Sequence, residues 1–176
     1  MLREAQSRGI TLPKESLQLL EDKKKIAWPL ASNGYFLHNS GKLYKPSPEQ
    51  EAFINSDARF VLFYGSRASG KTAAGAQKAL KKIMLGESGI IMNPDFENLK
   101  FSTWPEFRDW IPWNMVVPSQ RHRSNVAWNP TQPFAMVFMN GANVYLKGGK
   151  ESSSSRGRSV NFFWYDEGGR DDTGLT

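Results

Sequence analysis

The chain has 176 residues, a net charge of +6 and no cysteine. This length is about that of one domain and is enough for a sizeable core. With 39% hydrophobic and 23% charged residues, the composition excludes a disordered chain. The lack of cysteine excludes disulfides and fits a reducing compartment. No apolar run approaches the roughly 20 residues of a bilayer span, and no signal-peptide core is present, so we expect no membrane association. The positive charge favours polyanionic partners such as ATP and nucleic acid.

Residues 1–44 are predicted to form an N-terminal extension of helical and irregular structure. A loose leucine stripe predicts a helix from Pro13 to about Lys25, ended by Trp28 and Pro29. The lysines at 23–25 fit a solvated helix end, where cations suit the helix dipole, and contact with DNA is the alternative. Residues 34–41 have the pattern of a short strand and turn.

A second helix is predicted to begin at Pro48. Ser47 can cap it, Pro48 sits where a missing N–H has no cost, and Gln50 lies three residues after the cap. The Gln50 side chain therefore has two interpretations. It completes a capping box, or its amide reads the edge of adenine, since an amide donates and accepts as N6 and N7 require. The residues alone leave both open.

The chain is organised around residues 60–72. The apolar run at 60–64 predicts a buried strand, and the following G-x-x-x-x-G-K-T spacing, a Walker A pattern, is that of a phosphate-binding loop before a helix. Such a loop turns successive N–H groups into one concavity, and the helix N-terminus adds partial positive charge. The helix is predicted over residues 72–85, closed by Gly86. The predicted cofactor-binding residues are Gly65, Ser66, Arg67, Ala68, Ser69, Gly70, Lys71 and Thr72, together with Gln50 if it reads adenine.

Three side chains in this loop have candidate roles. Lys71 would reach the β- and γ-phosphates of ATP, and the Thr72 hydroxyl would ligate Mg²⁺. Arg67 is an unusual loop residue, because it repels Lys71 unless an anion is bound. We therefore take Arg67 as a candidate arginine finger supplied in cis.

The middle of the chain has a recognisable alternation of elements. Residues 88–92 predict a strand, and residues 95–110 predict a helix with a break at Pro105. The aromatic residues of this helix favour a core stripe over a base-stacking platform. Residues 133–147 predict a β-hairpin with Asn140 and Gly141 at the turn.

Two segments carry basic residues without an assigned role. Residues 112–133 form a loop-rich stretch, and residues 148–158 are of low complexity, which predicts a mobile loop. Their arginines are either solvated charges or groups that act on phosphate, including an arginine finger supplied in trans. The inseparable candidates are Arg121, Arg123, Arg156 and Arg158.

The second half of the predicted chemistry lies at residues 160–167. An apolar strand ends in Asp166 and Glu167, a Walker B pattern. Because successive side chains of a strand point to opposite faces, two adjacent carboxylates at its end can do different work. Asp166 would hold Mg²⁺ opposite Thr72, and Glu167 would polarise the attacking water.

Taken in order, these motifs resemble the large terminase subunit of tailed bacteriophages, the ATPase that pumps DNA into capsids. The likeness spans roughly residues 45–170: the Pro48-Glu49-Gln50 motif, the phosphate loop, the Asn-Gly hairpin, the Ser-rich loop with Arg156 and Gly157, and the strand into Asp166-Glu167. It implies that Gln50 reads adenine, that Lys71 and Thr72 bind phosphate and Mg²⁺, that Asp166 sits on the metal, and that Glu167 is the catalytic base.

The resemblance also implies an architecture and partners. The fold is expected to be a three-layer α/β P-loop NTPase fold, RecA-like and of the additional-strand, catalytic-Glu type, in residues 45–176. Double-stranded DNA, a homo-oligomeric ring, a small terminase subunit and a portal are the implied partners, in the host cytoplasm. Family members continue past the acidic pair with further strands and a nuclease domain. We therefore expect residues 45–176 to be part of an ATPase domain, with a missing strand between residues 60–64 and the Asp166 strand.

The expected function is ATP hydrolysis with Mg²⁺, catalysed by Glu167, Lys71 and Arg67 and coupled to translocation of double-stranded DNA into a procapsid. One alternative is another nucleic-acid-stimulated P-loop ATPase of helicase type. The other is an ATP-binding assembly module that does not hydrolyse ATP.

Overall fold

The computed structural model describes residues 27–124, 134–149 and 159–168, which form an α/β unit with a mixed, open four-stranded sheet. The described helices are α1 (Pro48–Asn55), α2 (Lys71–Met84), α3 (Phe96–Asn98) and α4 (Trp104–Trp110), with a π-helical segment (Leu99–Thr103) between α3 and α4. Two 3₁₀ segments follow, Trp113–Met115 and Pro118–Ser124. The strands are β1 (Gly89–Asn93), β2 (Phe134–Val137), β3 (Asn143–Gly148) and β4 (Phe162–Tyr165).

The strands lie in the order β2-β3-β1-β4. The central strand β1 pairs in parallel with β3 and with β4, and β2 pairs antiparallel with β3. The β2–β3 pair is the hairpin predicted from Asn140 and Gly141, and Gly141 has the positive φ of 89° that such a turn needs. The parallel strands bring the carboxyl ends of β1 and β4 to one edge of the sheet.

Helices α2 and α4 cover one face of this sheet. The core contains Ile91 of β1 and Val144 and Leu146 of β3, with Phe162 and Trp164 of β4 packed against it. The ring centroid of Trp164 lies 6.1 Å from that of Phe107 in α4. Trp164 also lies against Gly75 of α2, where a Cβ would stand 2.4 Å from the indole. Gly75 therefore allows α2 to approach β4 closely.

Side-chain hydrogen bonds satisfy backbone groups at the ends of α1 and α2. Ser47 and Gln50 form the predicted capping box at the start of α1. At the end of α1, Lys78 of α2 donates to the carbonyl oxygens of Phe53, Ile54 and Ser56, at 2.9, 3.2 and 2.6 Å. Asn140 of the hairpin turn donates to the carbonyl oxygen of Ile83, at 2.7 Å, near the end of α2. These bonds use carbonyl groups that a helix end leaves without partners.

The described part of the N-terminal extension packs on the same core. Tyr35, Phe36 and Tyr44 are buried core members, and Trp28 packs against them. The backbone N–H and C=O of Phe36 bond the fully buried amide of Gln77 in α2, at 2.9 and 3.0 Å. These bonds attach residues 27–44 to α2.

The predicted buried strand at residues 60–64 is wrong for the described structure. This segment pairs with no strand in the ranges described, and Phe60, Leu62 and Tyr64 are 85%, 85% and 84% exposed. Only the alternate residues Val61 and Phe63 are half-buried. The ring of Phe63 stacks on that of Phe53 in α1, with the two ring centroids 4.9 Å apart. Among the strands described, β4 likewise pairs on one edge only, with β1. The apolar composition of residues 60–64 is typical of a strand. A strand also needs an adjacent strand whose backbone groups hydrogen-bond with its own.

The predicted helix over 95–110 forms with a different interruption. The chain passes through the π-helical segment before Pro105, which sits in the first turn of α4. Trp104, Phe107 and Trp110 are buried as the core interpretation requires, but Phe101 is exposed. The predicted helix at 13–25 and most of the Ser-rich loop lie outside the described residues. Among the helices described, none is long and apolar enough to cross a membrane.

The contact between Gly75 and Trp164 gives a test of the α2–β4 packing. Helix propensity alone predicts that Gly75→Ala stabilises the protein by about 1 kcal/mol. We expect the opposite sign, because the added methyl group meets a rigid indole ring and overpacking typically costs about 1–3 kcal/mol. Urea unfolding measures the change, and in a Trp164→Phe background the same substitution should lose much of its cost. A stabilised Gly75→Ala protein would contradict this packing.

Candidate nucleotide and metal site

The predicted phosphate loop forms a tight turn directly before α2. Two residues adopt left-handed backbone conformations, Ala68 with φ 60° and Gly70 with φ 73°. A Cβ at Gly70 would stand 2.6 Å from Nε2 of Gln50, so the end of that side chain would have to move. Helix α2 begins at the next residue, Lys71. The loop thus lies at the N-terminus of a 14-residue helix, where backbone N–H groups and the helix dipole favour an anion.

Lys71 folds back over this loop. Its ammonium donates to the carbonyl oxygens of Gly65 and Ser66, at 3.0 and 2.7 Å, and to the hydroxyl of Ser69 at 3.4 Å. The ammonium therefore lies among the loop residues that the sequence assigns to phosphate. An anion held by the loop would compete with these oxygens for the positive charge of Lys71.

Asp166 lies at the carboxyl end of β4 and joins two distant parts of the chain. One oxygen of its carboxylate, Oδ2, accepts a hydrogen bond from Thr72 at 3.1 Å and another from Thr103 at 2.6 Å. The backbone N–H of Asp166 donates to Met92 of β1 at 2.9 Å. Although Asp166 is only 7% exposed, these bonds satisfy its charge in part. The structure thus brings Thr72 and Asp166 together across 94 residues of sequence.

These residues fit a magnesium ion. The Thr72 hydroxyl donates its one hydrogen to Asp166, which leaves its lone pairs for a cation. Mg²⁺ usually takes one or two protein oxygens and keeps water or phosphate oxygens at its other positions. The described residues contain no cluster of three or more His, Cys, Asp or Glu side chains that could hold a metal.

Glu167 follows Asp166 with a left-handed backbone, at φ 58°. A non-glycine residue with positive φ is uncommon and carries a conformational cost, which often marks a functional position. The left-handed backbone at Glu167 ends the extended strand, so Glu167 does not simply continue the row of Phe163 and Tyr165 on the face opposite Asp166. The two carboxylates accordingly have different surroundings, Asp166 buried and Glu167 half-buried.

Gln50 forms the capping box and also contacts the phosphate loop. Its Oε1 accepts from the backbone N–H of Ser47 at 2.9 Å and from the hydroxyl of Tyr44 at 3.3 Å, and its Nε2 donates to the carbonyl oxygen of Ser69 at 2.8 Å. The capping interpretation is therefore confirmed. Reading adenine stays a prediction, and it requires the Gln50 amide to exchange at least one of these bonds.

A cleft of about 740 Å³ opens beside Gln50 and Gly70. Burial raises the pKa of Tyr44, in the cleft wall, to about 12, and its phenol donates a hydrogen bond to Gln50 at 3.3 Å. The cleft continues the phosphate loop toward α4 and is large enough for a nucleoside. Its lining comprises Gly41, Lys42, Leu43, Tyr44, Lys45, Gln50, Gly70, Ala73, Glu106 and Trp110.

The candidate arginines differ in their surroundings. Arg67 is exposed at the tip of the phosphate loop. Arg121 donates to the carbonyl oxygens of Val116 and Asn114, both at 2.9 Å, which gives it a local structural role. The side chains of Arg123, Arg156 and Arg158 lie outside the described part of the chain.

Sequence reasoning missed two residues near Asp166. Thr103 lies in the π-helical segment, and no sequence pattern relates it to Asp166. Asn93 ends β1 and is fully buried, and within the described residues neither atom of its amide has a hydrogen-bond partner. An unpaired buried amide costs about 1–3 kcal/mol. A polar residue at the carboxyl end of a central parallel strand was the signal available, since ligands of α/β sheets bind at that edge.

Comparison with protein-family models, with curated proteins and with solved structures finds no match to this chain. The site is therefore interpreted from its geometry and from the sequence pattern.

The short bond from Thr103 to Asp166 predicts a measurable contribution to stability. Thr103→Val keeps the shape of the side chain but removes one of the two hydroxyl donors to a buried carboxylate oxygen. Hydrogen bonds to charged groups contribute about 1.5–3 kcal/mol, so we expect a loss of that size in urea unfolding. Thr103→Ser restores the hydroxyl and should recover most of it. Equal stability of the valine variant and the natural protein would remove this bond from the site.

Proposed function

We propose that this chain binds and hydrolyses ATP with Mg²⁺ as a P-loop ATPase, and that it is the ATPase part of a viral DNA-packaging motor. The observation that carries the ATPase proposal is the hydrogen bond between Thr72, at the start of the phosphate-loop helix, and Asp166, at the end of β4. These two residues were predicted to share one metal ion.

Each candidate residue has a separate task in this proposal. Thr72 and Asp166 would hold Mg²⁺, which when bound neutralises charge across the β- and γ-phosphates. Lys71 would turn from the loop carbonyl oxygens to the phosphates, and the N–H groups at the start of α2 would face the same anion. Glu167 would orient the attacking water and accept its proton. Gln50 and the neighbouring cleft would bind the adenine ring of ATP.

The packaging part of the proposal depends on motif order and charge. The phosphate loop, the Asn-Gly hairpin and the acidic pair occur in the order of large terminase subunits, and the chain carries a net charge of +6. A basic protein that moves along DNA of any sequence needs contacts to the phosphate backbone, which carry no sequence information. Double-stranded DNA is therefore the proposed partner, and a ring of subunits is the proposed assembly.

The central experiment measures ATP binding and phosphate release by the full chain, with and without blunt double-stranded DNA. Lys71→Ala should abolish ATP binding or turnover. Glu167→Gln should keep binding but reduce hydrolysis by at least about 10²-fold, the scale of general-base loss. Lys82→Ala and Glu87→Gln are matched controls, because this ion pair of 3.4 Å at the far end of α2 involves the same residue types.

The outcomes separate the competing functions. Phosphate release stimulated by duplex DNA without strand separation supports a packaging motor, whereas unwinding supports a helicase-type enzyme. ATP binding without phosphate release, unchanged by Glu167→Gln, supports a nucleotide-dependent assembly module. Unaltered turnover in Lys71→Ala would remove the phosphate-loop proposal.

Arg67 allows a separate kinetic test. If Arg67 meets the γ-phosphate as charge develops, Arg67→Ala should reduce kcat far more than ATP affinity, since arginine fingers contribute about 10³–10⁵-fold to kcat. Single-turnover rates and nucleotide titrations on the same samples measure the two effects. Equal losses in kcat and affinity would identify Arg67 as a ground-state anchor.

A further inference from the structure

The fully buried amide of Asn93 is a polar group that the proposed roles leave unused. Asn93 ends the central strand β1, and within the described residues neither its Oδ1 nor its Nδ2 has a hydrogen-bond partner. Buried side-chain amides are nearly always bonded, so each exception calls for an explanation such as a ligand or a bound water. Gln77 in α2, an amide equally buried, bonds both backbone groups of Phe36.

The register of the sheet sets Asn93 beside Asp166. Ile91 pairs with Trp164 and Met92 with Tyr165, so one further step along both strands brings Asn93 next to Asp166. The hydrogen bond from the N–H of Asp166 to Met92 continues that pairing. On its other side Asn93 pairs with Gly148, which has no side chain. The side-chain neighbour of Asn93 across the sheet is therefore Asp166.

Strand alternation places both side chains on the same face of the sheet. Ile91 and Trp164, two residues earlier in each strand, belong to the core beneath α2 and α4. Asn93 and Asp166 must share that face, since side chains repeat every second residue. Thr72 and Thr103 approach the same face and both bond Asp166. Asn93 thus belongs to the polar group at the carboxyl end of the parallel strands, where α/β sheets bind ligands.

Glycines keep the chain close around Asn93. A Cβ on Gly148 would stand 2.8 Å from the backbone nitrogen of Phe96, and one on Gly149 would stand 2.8 Å from the carbonyl oxygen of Pro94. The end of β3 is therefore packed against the residues that follow Asn93. This packing holds Asn93 beside Asp166 with little freedom.

We infer that Asn93 is a positioning residue of the metal site, whose amide hydrogen-bonds a water bound to the Mg²⁺ ion held by Thr72 and Asp166. The inference rests on the proposed function. Mg²⁺ releases its waters reluctantly, and a water on a cation is a strong donor for the Oδ1 of an amide. Groups that bond the ligands of a metal typically change its affinity by about 10–100-fold when they are removed.

The test compares Asn93→Leu with the natural protein in thermal unfolding, in ATP with EDTA and in ATP with increasing MgCl₂. Leucine has a similar size and no polar atoms. It should raise Tm in EDTA by about 2–4 °C, because a buried unpaired amide is removed. It should also raise the MgCl₂ concentration that gives half of the Mg²⁺-dependent Tm shift by at least about tenfold. Gln77→Leu is the matched control and should lower Tm without moving the MgCl₂ midpoint.

Three outcomes would overturn the inference. A raised Tm with an unchanged MgCl₂ midpoint would show that Asn93 is only a tolerated polar group. A lowered Tm would show that its amide makes a structural bond. If Asn93→Leu does not fold, Asn93→Ser and Asn93→Ala replace it: serine should keep the midpoint within about threefold and alanine should not, and equal midpoints would overturn the inference.

The proposed function fails separately from this inference. If the natural protein shows no Tm shift with ATP and MgCl₂, the nucleotide and metal site itself is wrong. If the natural protein responds and Asn93→Leu responds identically, only the role of Asn93 is wrong.

Discussion

The hydrogen bonds to Asp166 are the interactions on which the candidate site depends. A carboxylate that is nearly withdrawn from water needs donors, and the fold supplies the hydroxyls of Thr72 and Thr103 from two different segments. Each donor fixes a neighbouring element: Thr72 belongs to the first turn of α2, and Thr103 ends the π-helical segment. The end of β4, the start of α2 and the approach to α4 are thereby held at one point.

Elsewhere in the fold, side-chain hydrogen bonds hold the ends of the helices that surround Asp166. Lys78 bonds the last carbonyl groups of α1, Asn140 those of α2, and Gln50 joins the start of α1 to the phosphate loop. Each link is made by a side chain whose partner is distant in sequence or lies in another element. The loop that precedes α2 is thus connected to α1 through Gln50, although residues 60–64 before it pair with none of the strands described.

Much of the fold follows from local sequence chemistry. Asn140 and Gly141 specify the hairpin, Ser47 and Gln50 specify the start of α1, and Gly86 ends α2, because each signal acts over a few residues. Residues 60–64 could not be assigned in the same way. Their continuous apolar run is strand-like, but pairing depends on a neighbouring strand that the segment itself does not encode.

The candidate site was predictable where residue type and motif spacing carry the information. The association of Thr72 with Asp166 follows from two motifs that meet at the carboxyl edge of a parallel sheet. Thr103 and Asn93 lie outside any motif, and their places depend on the π-helical segment and on the register of β1 against β4. The register of two strands that are distant in sequence is known only once their pairing is known.

The contact of Trp164 with Gly75 has a mechanical consequence. An indole seated in a gap on the surface of α2 interlocks the helix with β4, so the helix cannot slide along the strand without pulling the ring out. Helix and strand must then travel as one rigid body. Under the proposed function, a nucleotide would turn the loop before Lys71 or tilt that body against its surroundings, without sliding the helix along the strand.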